Sequence, residues 1–330
     1  MKAWLLDDYT GIAGLRWAEI PEPSPGAGEV LLAIGYAGLN PADRYLAERQ
    51  YPARPTLPHI LGRDGIGRVV RHGEGVSRVA VGDRRAILRG NVGGNRPGTF
   101  AEYVVVPESD LVEIPEPWSD TEGAGAVLVY LTAYQALTMW GSLPPGSAVL
   151  VTGASGGVGV AAVQLGAAMG FKILALSRSA EKRKRLAELG ATLTFDPEDP
   201  RWRDAAKQVT APGRVALAVD NIGGTLLPQV IDTLGDEGKV SLVGRLAGPV
   251  PSFNTATLFF RRLRMGGVAV GAYKETESRA AWKAVCELLA RAGARPLVDS
   301  IFPLEQLPQA FARLAEGPMG KVLVEVKRPM

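Results

Sequence analysis

Residues 148–178 constrain the fold of this chain more than any other stretch. The segment begins with an apolar run of valine and leucine at 148–152, breaks at a glycine-dense turn, and continues with apolar residues at three- and four-residue steps. This order of patterns predicts a strand, a tight loop and a helix, with a second strand at 171–176. The apolar positions that share one face of the predicted helix are Val158, Ala161, Ala162, Leu165, Ala168 and Met169. Gly170 follows as a C-terminal cap.

The glycines of the predicted turn indicate a dinucleotide site. Gly156, Gly157 and Gly159 lie where the strand passes into the helix. Gly156 would let the backbone approach a pyrophosphate, and Gly159 would let the helix pack closely on the strand. The first helical turn adds unpaired N–H groups and a positive dipole that attract phosphate. Ser155 and Val158 lie beside these glycines and are further candidate cofactor contacts.

Three other structures fit parts of the same segment. No charged residue occurs at 148–170, and two of its glycines have the GxxxG spacing of membrane helices, but five small residues in a row at 153–157 would weaken a continuous helix. The segment also matches GxSxG, the nucleophile elbow of hydrolases. That fold needs a histidine after the serine, and both histidines of this chain precede Ser155. A glycine turn that binds nothing is the third alternative.

The residues after the second predicted strand indicate which dinucleotide is bound. An NAD-binding unit presents an acidic side chain to the ribose hydroxyls there, and that carboxylate would repel a 2′-phosphate. This chain has Ser177 and Arg178 instead, with Lys182 one turn into the next predicted helix. A serine can donate a hydrogen bond, and an arginine can pair with phosphate through two parallel hydrogen bonds. We therefore expect NADP(H), and we expect residues 183–185 to form only a solvated helix face.

Length and composition describe an ordinary globular protein. The chain has 330 residues, of which 46% are hydrophobic and 22% charged, enough for two domains. A net charge of +3 without a basic tail is too small to indicate nucleic acid. The first ten residues lack a signal-peptide apolar stretch, so we expect a cytoplasmic protein that does not associate with membranes. Cys286 is the single cysteine, which excludes an internal disulfide and a cysteine-based metal cluster.

Two patterns divide the chain into domains of an α/β protein. Residues 1–120 hold strand-like segments separated by glycine and proline, which predicts a β-barrel-like domain with few helices. Residues 121–271 alternate between helix and strand, the pattern of a doubly wound parallel sheet whose last strand is predicted at 265–271. Residues 272–330 end in the predicted strand KVLVEV and are expected to return to the first domain.

Eight motifs spread along the chain carry a resemblance to a known family. They are GEVLLAIGYAGLNPADRY, HILGRDGIGRVV, GDRRAI, GTFAEYVVV, LTAYQAL, SGGVG, AELGA and KVSLVG. Together they resemble the medium-chain dehydrogenase/reductase superfamily, in its zinc-free quinone oxidoreductase branch, over essentially the whole length. The resemblance implies a GroES-like catalytic domain, a Rossmann cofactor domain, a cleft between them and hydride transfer from a nicotinamide.

Matching to the zinc-dependent relatives implies that no metal is bound. Those relatives carry a cysteine where this chain has Asn40 and a histidine where it has Arg63. They also carry an acidic residue at Asp64 and a second cysteine near Leu128. Only Asp64 is retained, whereas tetrahedral zinc prefers thiolate and imidazole ligands. We expect Arg63 and Asp64 to serve the structure, with Arg63 as a salt-bridge partner of Asp64 or as an anion contact.

Without a metal, hydrogen-bond donors must polarise the substrate. The resemblance implies that Asn40, Tyr45 and Tyr51 line the catalytic site. Tyr51 also matches the tyrosine regarded as the proton donor in related enoyl thioester reductases. A phenol can donate to an enolate or quinone oxyanion, although an unperturbed phenol is a slow acid. The alternative is that both tyrosines only pack against their loop.

Further cofactor contacts are expected where predicted strands of the second domain end. Ligands bind at the carboxyl edge of doubly wound sheets, so the backbone there should approach the adenosine or the nicotinamide. The positions just after the strands VALAVD and KVSLVG are Asn221, Val243, Gly244 and Arg245. The resemblance adds Thr132, in the predicted helix LTAYQAL, as a nicotinamide or phosphate contact.

These residues predict an NADPH-dependent, zinc-independent reductase of quinones or activated alkenes, in which Tyr51 or water protonates the oxyanion. A zinc-free alcohol dehydrogenase is an alternative, but unactivated alcohols need a stronger oxyanion stabiliser. An NADPH-binding structural or regulatory protein without turnover is the alternative from another class. A homodimer joined through residues 265–271 is expected by resemblance and because an apolar sheet edge is usually covered.

Overall fold

The computed structural model describes residues 1–88 and 92–326. Cα packing separates two compact units: the first holds Met1–Leu128, Gly271–Trp282 and the chain from Arg295, and the second holds Val129–Val270 and Lys283–Ala294. The chain thus returns to its first unit near the C-terminus. The division falls eight residues after the boundary predicted at 120. Residues 89–91 and 327–330, within the predicted ranges 1–120 and 272–330, lie outside the described residues.

The N-terminal part of the first unit is rich in strands. Its elements are β1 (Lys2–Leu6), β2 (Leu15–Glu19), β3 (Glu29–Gly38), α1 (Pro41–Ala47), β4 (Gly65–His72), β5 (Arg84–Ile87), β6 (Tyr103–Pro107), β7 (Leu111–Val112) and α2 (Asp120–Ala124). Along β3, apolar residues of high strand propensity are buried almost without interruption. Helix α1 begins at Pro41, whose missing N–H has no partner to lose at that position.

Helices and strands alternate in the second unit. Its elements are α3 (Val127–Thr138), β8 (Ala148–Val151), α4 (Gly157–Ala168), β9 (Lys172–Leu176), α5 (Ala180–Glu188), β10 (Leu193–Phe195), α6 (Trp202–Thr210), β11 (Val215–Asp220), α7 (Leu227–Thr233), β12 (Leu234–Leu242), α8 (Ala256–Phe260) and β13 (Arg264–Gly267). The chain then continues through α9 (Glu275–Ala292), β14 (Val298–Pro303), α10 (Leu307–Ala315) and β15 (Lys321–Glu325). Short 3₁₀ helices lie at Ile12–Gly14, Glu108–Asp110, Gly224–Leu226, Val270–Ala272 and Leu304–Gln306.

Strand β3 organises the sheet of the first unit. It pairs antiparallel with β4, with β6 and with β15, so one strand joins the N-terminal and C-terminal parts of this unit. The sheet continues from β15 to β14 on one side and from β4 to β5 and β7 on the other. Its apolar core includes Phe100 and Phe311, whose rings meet edge to face at 5.8 Å. The predicted β-rich domain is confirmed.

The parallel sheet of the second unit has the strand order β10-β9-β8-β11-β12-β13. The strand that comes first in the sequence, β8, lies in the middle, and the chain winds outward from it in both directions. This is the doubly wound arrangement, with its switch point between β8 and β11. The predicted last strand is shorter than expected: it ends at Gly267, and Val270–Ala272 forms a 3₁₀ helix.

Helix α4 differs from the predicted one-sided helix. Residues 159–166 are all buried, whereas the predicted inward positions Val158, Ala168 and Met169 are only half-buried. The helix is therefore apolar on nearly every side, as expected of a central helix rather than a surface one. The one polar side chain in this run, Gln164, accepts a hydrogen bond from the hydroxyl of Tyr130.

Candidate functional site

The loop between β8 and α4 packs so closely against the start of α4 that the contact requires glycine. A Cβ on Gly159 would lie 2.2 Å from the carbonyl oxygen of Gly153, so only glycine lets the helix approach the loop backbone. Gly156 is the N-cap of α4, and a Cβ there would meet only the Gly153 oxygen, at 3.5 Å. Space therefore remains beside Gly156, next to the first turn of a 12-residue helix. Ser155, Gly157 and Val158 are half-buried around it.

A buried polar cluster holds the ends of β8 and β11 together at the switch point. The hydroxyl of Thr152 donates to Asp220 Oδ1 at 2.6 Å and accepts from the Asn221 N–H at 2.9 Å. The Asn221 amide nitrogen donates to the Thr152 carbonyl at 2.8 Å. Asn221 Oδ1 is buried and has no hydrogen-bond partner among the described residues. The carboxyl edge thus offers one unused acceptor to a ligand donor.

The segment after β12 packs against the same cluster. The Val243 N–H donates to the Asp220 carbonyl at 2.8 Å. A Cβ on Gly244 would lie 2.4 Å from the carbonyl oxygen of Asn221, so glycine permits this approach. Arg245 follows, half-buried. The predicted cofactor residues after β11 and β12 therefore come together, whereas Thr152 and Asp220, which connect them, were not predicted.

Arg183 organises the segment after β9, contrary to the prediction of a solvated helix face. Its guanidinium donates to the carbonyl of Ser177 at 2.7 Å and to that of Arg178 at 2.9 Å. The same group pairs with Asp196 at 3.0 Å. Ser177 is buried, and Arg178 is exposed with no ion pair in the described part of the chain. The backbone N–H of Lys182 donates to the Ser179 hydroxyl, which caps α5.

Helix α3 carries Thr132 and is fixed against β12. Trp140, just after the helix, donates through Nε1 to the hydroxyl of Ser241 at 2.9 Å, and that hydroxyl donates to the Ala136 carbonyl at 2.7 Å. Thr132 is half-buried. One turn later, Gln135 has a buried Oε1 without a hydrogen-bond partner among the described residues. Sequence reasoning did not select Gln135.

A second polar cluster lies in the first unit, where β3 ends and β4 and β15 begin. The ammonium of Lys321 donates to Asn40 Oδ1 at 2.9 Å and to Asp64 Oδ2 at 3.1 Å. The Asp43 carboxylate accepts a hydrogen bond from the Asn40 N–H at 2.9 Å and thereby caps the N-terminus of α1. Arg63 does not pair with Asp64, so that predicted salt bridge is wrong: Lys321 is the partner.

Burial perturbs the carboxyls of this cluster. It raises the pKa of Asp43 to about 6, although the Arg63 charge and the Asn40 N–H oppose the rise. Burial also raises the pKa of Asp64 above its ordinary value, against the opposing effect of the Lys321 ammonium. An ionised Asp43 at neutral pH thus lies in an environment that disfavours its charge.

Arg63 instead contacts Tyr51. Its guanidinium nitrogen donates to the phenol oxygen at 2.6 Å, and its central carbon lies 4.6 Å from the ring centroid. Because arginine only donates, the phenol oxygen accepts, and the phenol hydrogen is directed elsewhere. Tyr45 is half-buried on α1, with the Arg44 guanidinium 5.3 Å from its ring centroid. The cation beside Tyr51 is a feature that the sequence did not reveal.

Within residues 1–88 and 92–326, no group of three or more histidine, cysteine, aspartate or glutamate side chains is arranged to hold a metal ion. None of the helices described is long and apolar enough to span a membrane.

Comparison with known proteins matches both units. The family model described as alcohol dehydrogenase GroES-like domain matches residues 26–116, and the one described as zinc-binding dehydrogenase matches 157–291. The human synaptic vesicle membrane protein VAT-1 homolog is 33% identical over 321 residues, which are 92% of this chain and 80% of that protein. A quinone oxidoreductase from Lama guanicoe is 28% identical over 330 residues, with 99% and 98% of the two chains covered.

Solved structures agree with the whole fold. The crystal structure of an NAD-dependent alcohol dehydrogenase superposes with a TM-score of 0.90 at 28% identity, over 99% of this chain and 100% of that one. A mycobacterial protein complexed with NADPH gives a TM-score of 0.89 at 25% identity, over 98% and 100%. With its GroES-like and Rossmann-type domains, the chain therefore belongs to the medium-chain dehydrogenase/reductase superfamily and is quinone oxidoreductase-like.

Proposed function

We propose that this oxidoreductase is an NADPH-dependent, zinc-independent enzyme that reduces a quinone or an activated alkene. The observation that carries the proposal is the contact between Arg63 and Tyr51, which provides a phenol proton donor next to a fixed positive charge. Quinone oxidoreductases are among the similar proteins, which supports this class of substrate. The cytoplasm stays the proposed location.

The residues at the carboxyl edge of the parallel sheet fit a dinucleotide. Space beside Gly156 and the first turn of α4 suit a pyrophosphate, and the unused Oδ1 of Asn221 suits a ribose hydroxyl or an amide N–H. The exposed Arg178 suits a 2′-phosphate. When bound, the reduced nicotinamide supplies a hydride. NADPH occurs in one similar structure and NAD is named for another, so the choice between them requires a direct test.

Tyr51 is the proposed proton donor. Its oxygen accepts from Arg63, so its hydrogen is available to a substrate oxygen, and the guanidinium would stabilise the phenolate left after donation. Asn40 is a second candidate donor through its amide nitrogen. A substrate oxyanion would thus be stabilised by neutral donors and a nearby cation, without metal ligands from this cluster.

The proposal is tested by NADPH oxidation with a benzoquinone, a naphthoquinone, an enone and a crotonyl thioester, in the wild type, Tyr51→Phe and Arg63→Met. If Tyr51 is the acid, Tyr51→Phe should lower alkene turnover about 100-fold. Arg49→Met is the control, because Arg49 lies over the ring of Tyr9 in a comparable contact, at 5.6 Å. If neither variant alters quinone turnover, the protein is a quinone reductase that mainly positions the reactants.

Three other results would contradict the proposal. NADPH binding with no oxidation across the whole panel would favour a binding protein. Equal activity with NADH and NADPH that survives Arg178→Asp would contradict the cofactor preference. Stoichiometric zinc in the purified protein would contradict a zinc-independent reaction.

A further inference from the structure

We infer that Lys321 is a positioning residue, a buried cation that fixes the orientation of the Asn40 side-chain amide. The contact itself is independent of the reaction, whereas its effect on catalysis rests on the proposed function. Lys321 follows Gly320 at the start of β15, in the short C-terminal strand of the first unit.

The ammonium of Lys321 is enclosed by acceptors. Its side chain is 4% exposed and that of Asp64 is 1% exposed. The nitrogen donates to the Leu39 carbonyl at 2.9 Å, to Asn40 Oδ1 at 2.9 Å and to Asp64 Oδ2 at 3.1 Å. An ammonium has three hydrogens, so all three are used within this cluster. Lys321 is therefore held in one place by partners that only accept.

This arrangement decides which way the Asn40 amide faces. Because an ammonium cannot accept a hydrogen bond, the Asn40 atom beside it must be the oxygen. The amide nitrogen then faces away and donates to the Gly38 carbonyl at 3.2 Å. An amide nitrogen carries two hydrogens, and the second is the candidate donor to a substrate oxygen; it lies beside Asp64, whose pKa a hydrogen bond from the Asn40 side chain lowers. Without the cation, the longer bond to the Gly38 carbonyl, at 3.2 Å, would have to hold this orientation.

The surrounding backbone makes room for this cation. A Cβ on Gly38 would lie 3.0 Å from Lys321 Cε and 3.1 Å from Asp64 Oδ2, so glycine at this place leaves space for the ion pair. A buried ion pair is weak support for stability by itself, because well-packed apolar residues often replace one without loss. Orienting the Asn40 amide gives the Lys321–Asp64 ion pair a function other than stabilising the fold.

A double-mutant cycle tests the inference in the full-length protein. Lys321→Met should lower kcat for the preferred acceptor about 100-fold, as expected for a lost oxyanion donor, with NADPH affinity unchanged. Asn40→Ala should lower it similarly, and the double variant should be no worse than either single one. Lys172→Met is the control, since that lysine donates to the Val209 carbonyl in the second unit. Losses that multiply in the double variant would overturn the inference.

A spectroscopic measurement separates this inference from the proposed function. In protein labelled with ¹⁵N at asparagine, the side-chain amide signals of Asn40 are identified by their absence in Asn40→Ala. The amide hydrogens of Asn40 should exchange with solvent slowly in the wild type and rapidly in Lys321→Met. Unchanged exchange would overturn the inference even if turnover falls. If Lys321→Met does not fold, the double variant Lys321→Met/Asp64→Leu removes both charges. Its Asn40 amide exchange is then interpreted in the same way. A wild type without turnover would contradict the proposed function, and amide exchange would still decide the contact.

Discussion

Asp43 is the residue whose burial most clearly makes the stability of the protein depend on pH. Its carboxyl is buried in the first unit, where it accepts the Asn40 N–H and lies within the field of Arg63. The desolvation of the charged form outweighs both favourable contacts, so the pKa rises from 3.8 to about 6. The folded protein therefore holds a proton on Asp43 at a pH at which the unfolded chain has released it.

Asp43→Asn should become increasingly more stable than the wild type as the pH rises. Since the pKa of Asp43 is raised on folding, from 3.8 to about 6, the stability it contributes is present below the unfolded value and lost as the pH rises through the folded one. At about 1.4 kcal/mol for each pH unit, the difference in unfolding free energy should grow by about 3 kcal/mol. Urea denaturation between about pH 3 and pH 8, which spans both pKa values, measures it, and a constant difference would contradict the expectation.

At the scale of elements, two glycines where the β8–α4 loop passes into α4 have separate roles. Gly159→Ala should destabilise the fold by about 1–3 kcal/mol, because its Cβ would meet the Gly153 carbonyl at 2.2 Å. Gly156→Ala should leave stability unchanged, because a Cβ there has ordinary space, but should weaken NADPH binding at least about tenfold. Thermal unfolding and fluorescence titration distinguish the two. Equal effects of both variants on stability would contradict this assignment.

The segment between β9 and α5 depends on Arg183, which donates to two carbonyls and pairs with Asp196. Arg183→Met should free the backbone that presents Arg178, and so lower NADPH affinity about tenfold with a smaller loss for NADH. Arg185→Met is the matched control, because Arg185 lies on the same helix and its ion-pair partner in residues 1–88 and 92–326 is the exposed Glu188, at 2.6 Å. Isothermal titration measures both affinities. A similar loss in both variants would show a general effect of charge instead.

Several elements with a clear local pattern were predicted, and two elements of the second unit were missed. The strand VALAVD is observed at Val215–Asp220, because a buried central strand is apolar throughout. The second-unit elements Leu193–Phe195 and Trp202–Thr210 were not predicted. The first has three residues, too few for a period to be visible. The second buries Trp202, Ala206 and Thr210 at four-residue steps, so its helical period was visible in the sequence although the helix was not predicted.

At the scale of the whole molecule, the open edge of the parallel sheet bears on assembly. Strand β13 ends the strand order, and α8 before it carries Phe259 and Phe260, which are 64% and 79% exposed. Exposed aromatic pairs next to an unpaired strand edge are usually covered. We propose that a second copy of the chain covers them. The dimer stays a prediction, now with a shorter strand, Arg264–Gly267, at its centre.

Phe259→Ser/Phe260→Ser should convert a dimer into a folded monomer, because the apolar surface that drives association is removed. Light scattering at several concentrations measures the mass, and circular dichroism checks the fold. Val81→Ser is the control, because Val81 is also exposed, at 61%, but belongs to the first unit. A wild type that is monomeric at every concentration would contradict the proposed dimer.

By itself, the sequence determined the fold class, the glycine turn and the residues at the ends of VALAVD and KVSLVG. These features are local: a period of two or 3.6 residues and a glycine cluster are visible within a short window. Only the tertiary structure decided that Lys321 meets Asn40 and Asp64, which are 281 and 257 residues away. The physical reason is that β3 pairs with both β4 and β15, and strand pairing joins residues that no local pattern connects.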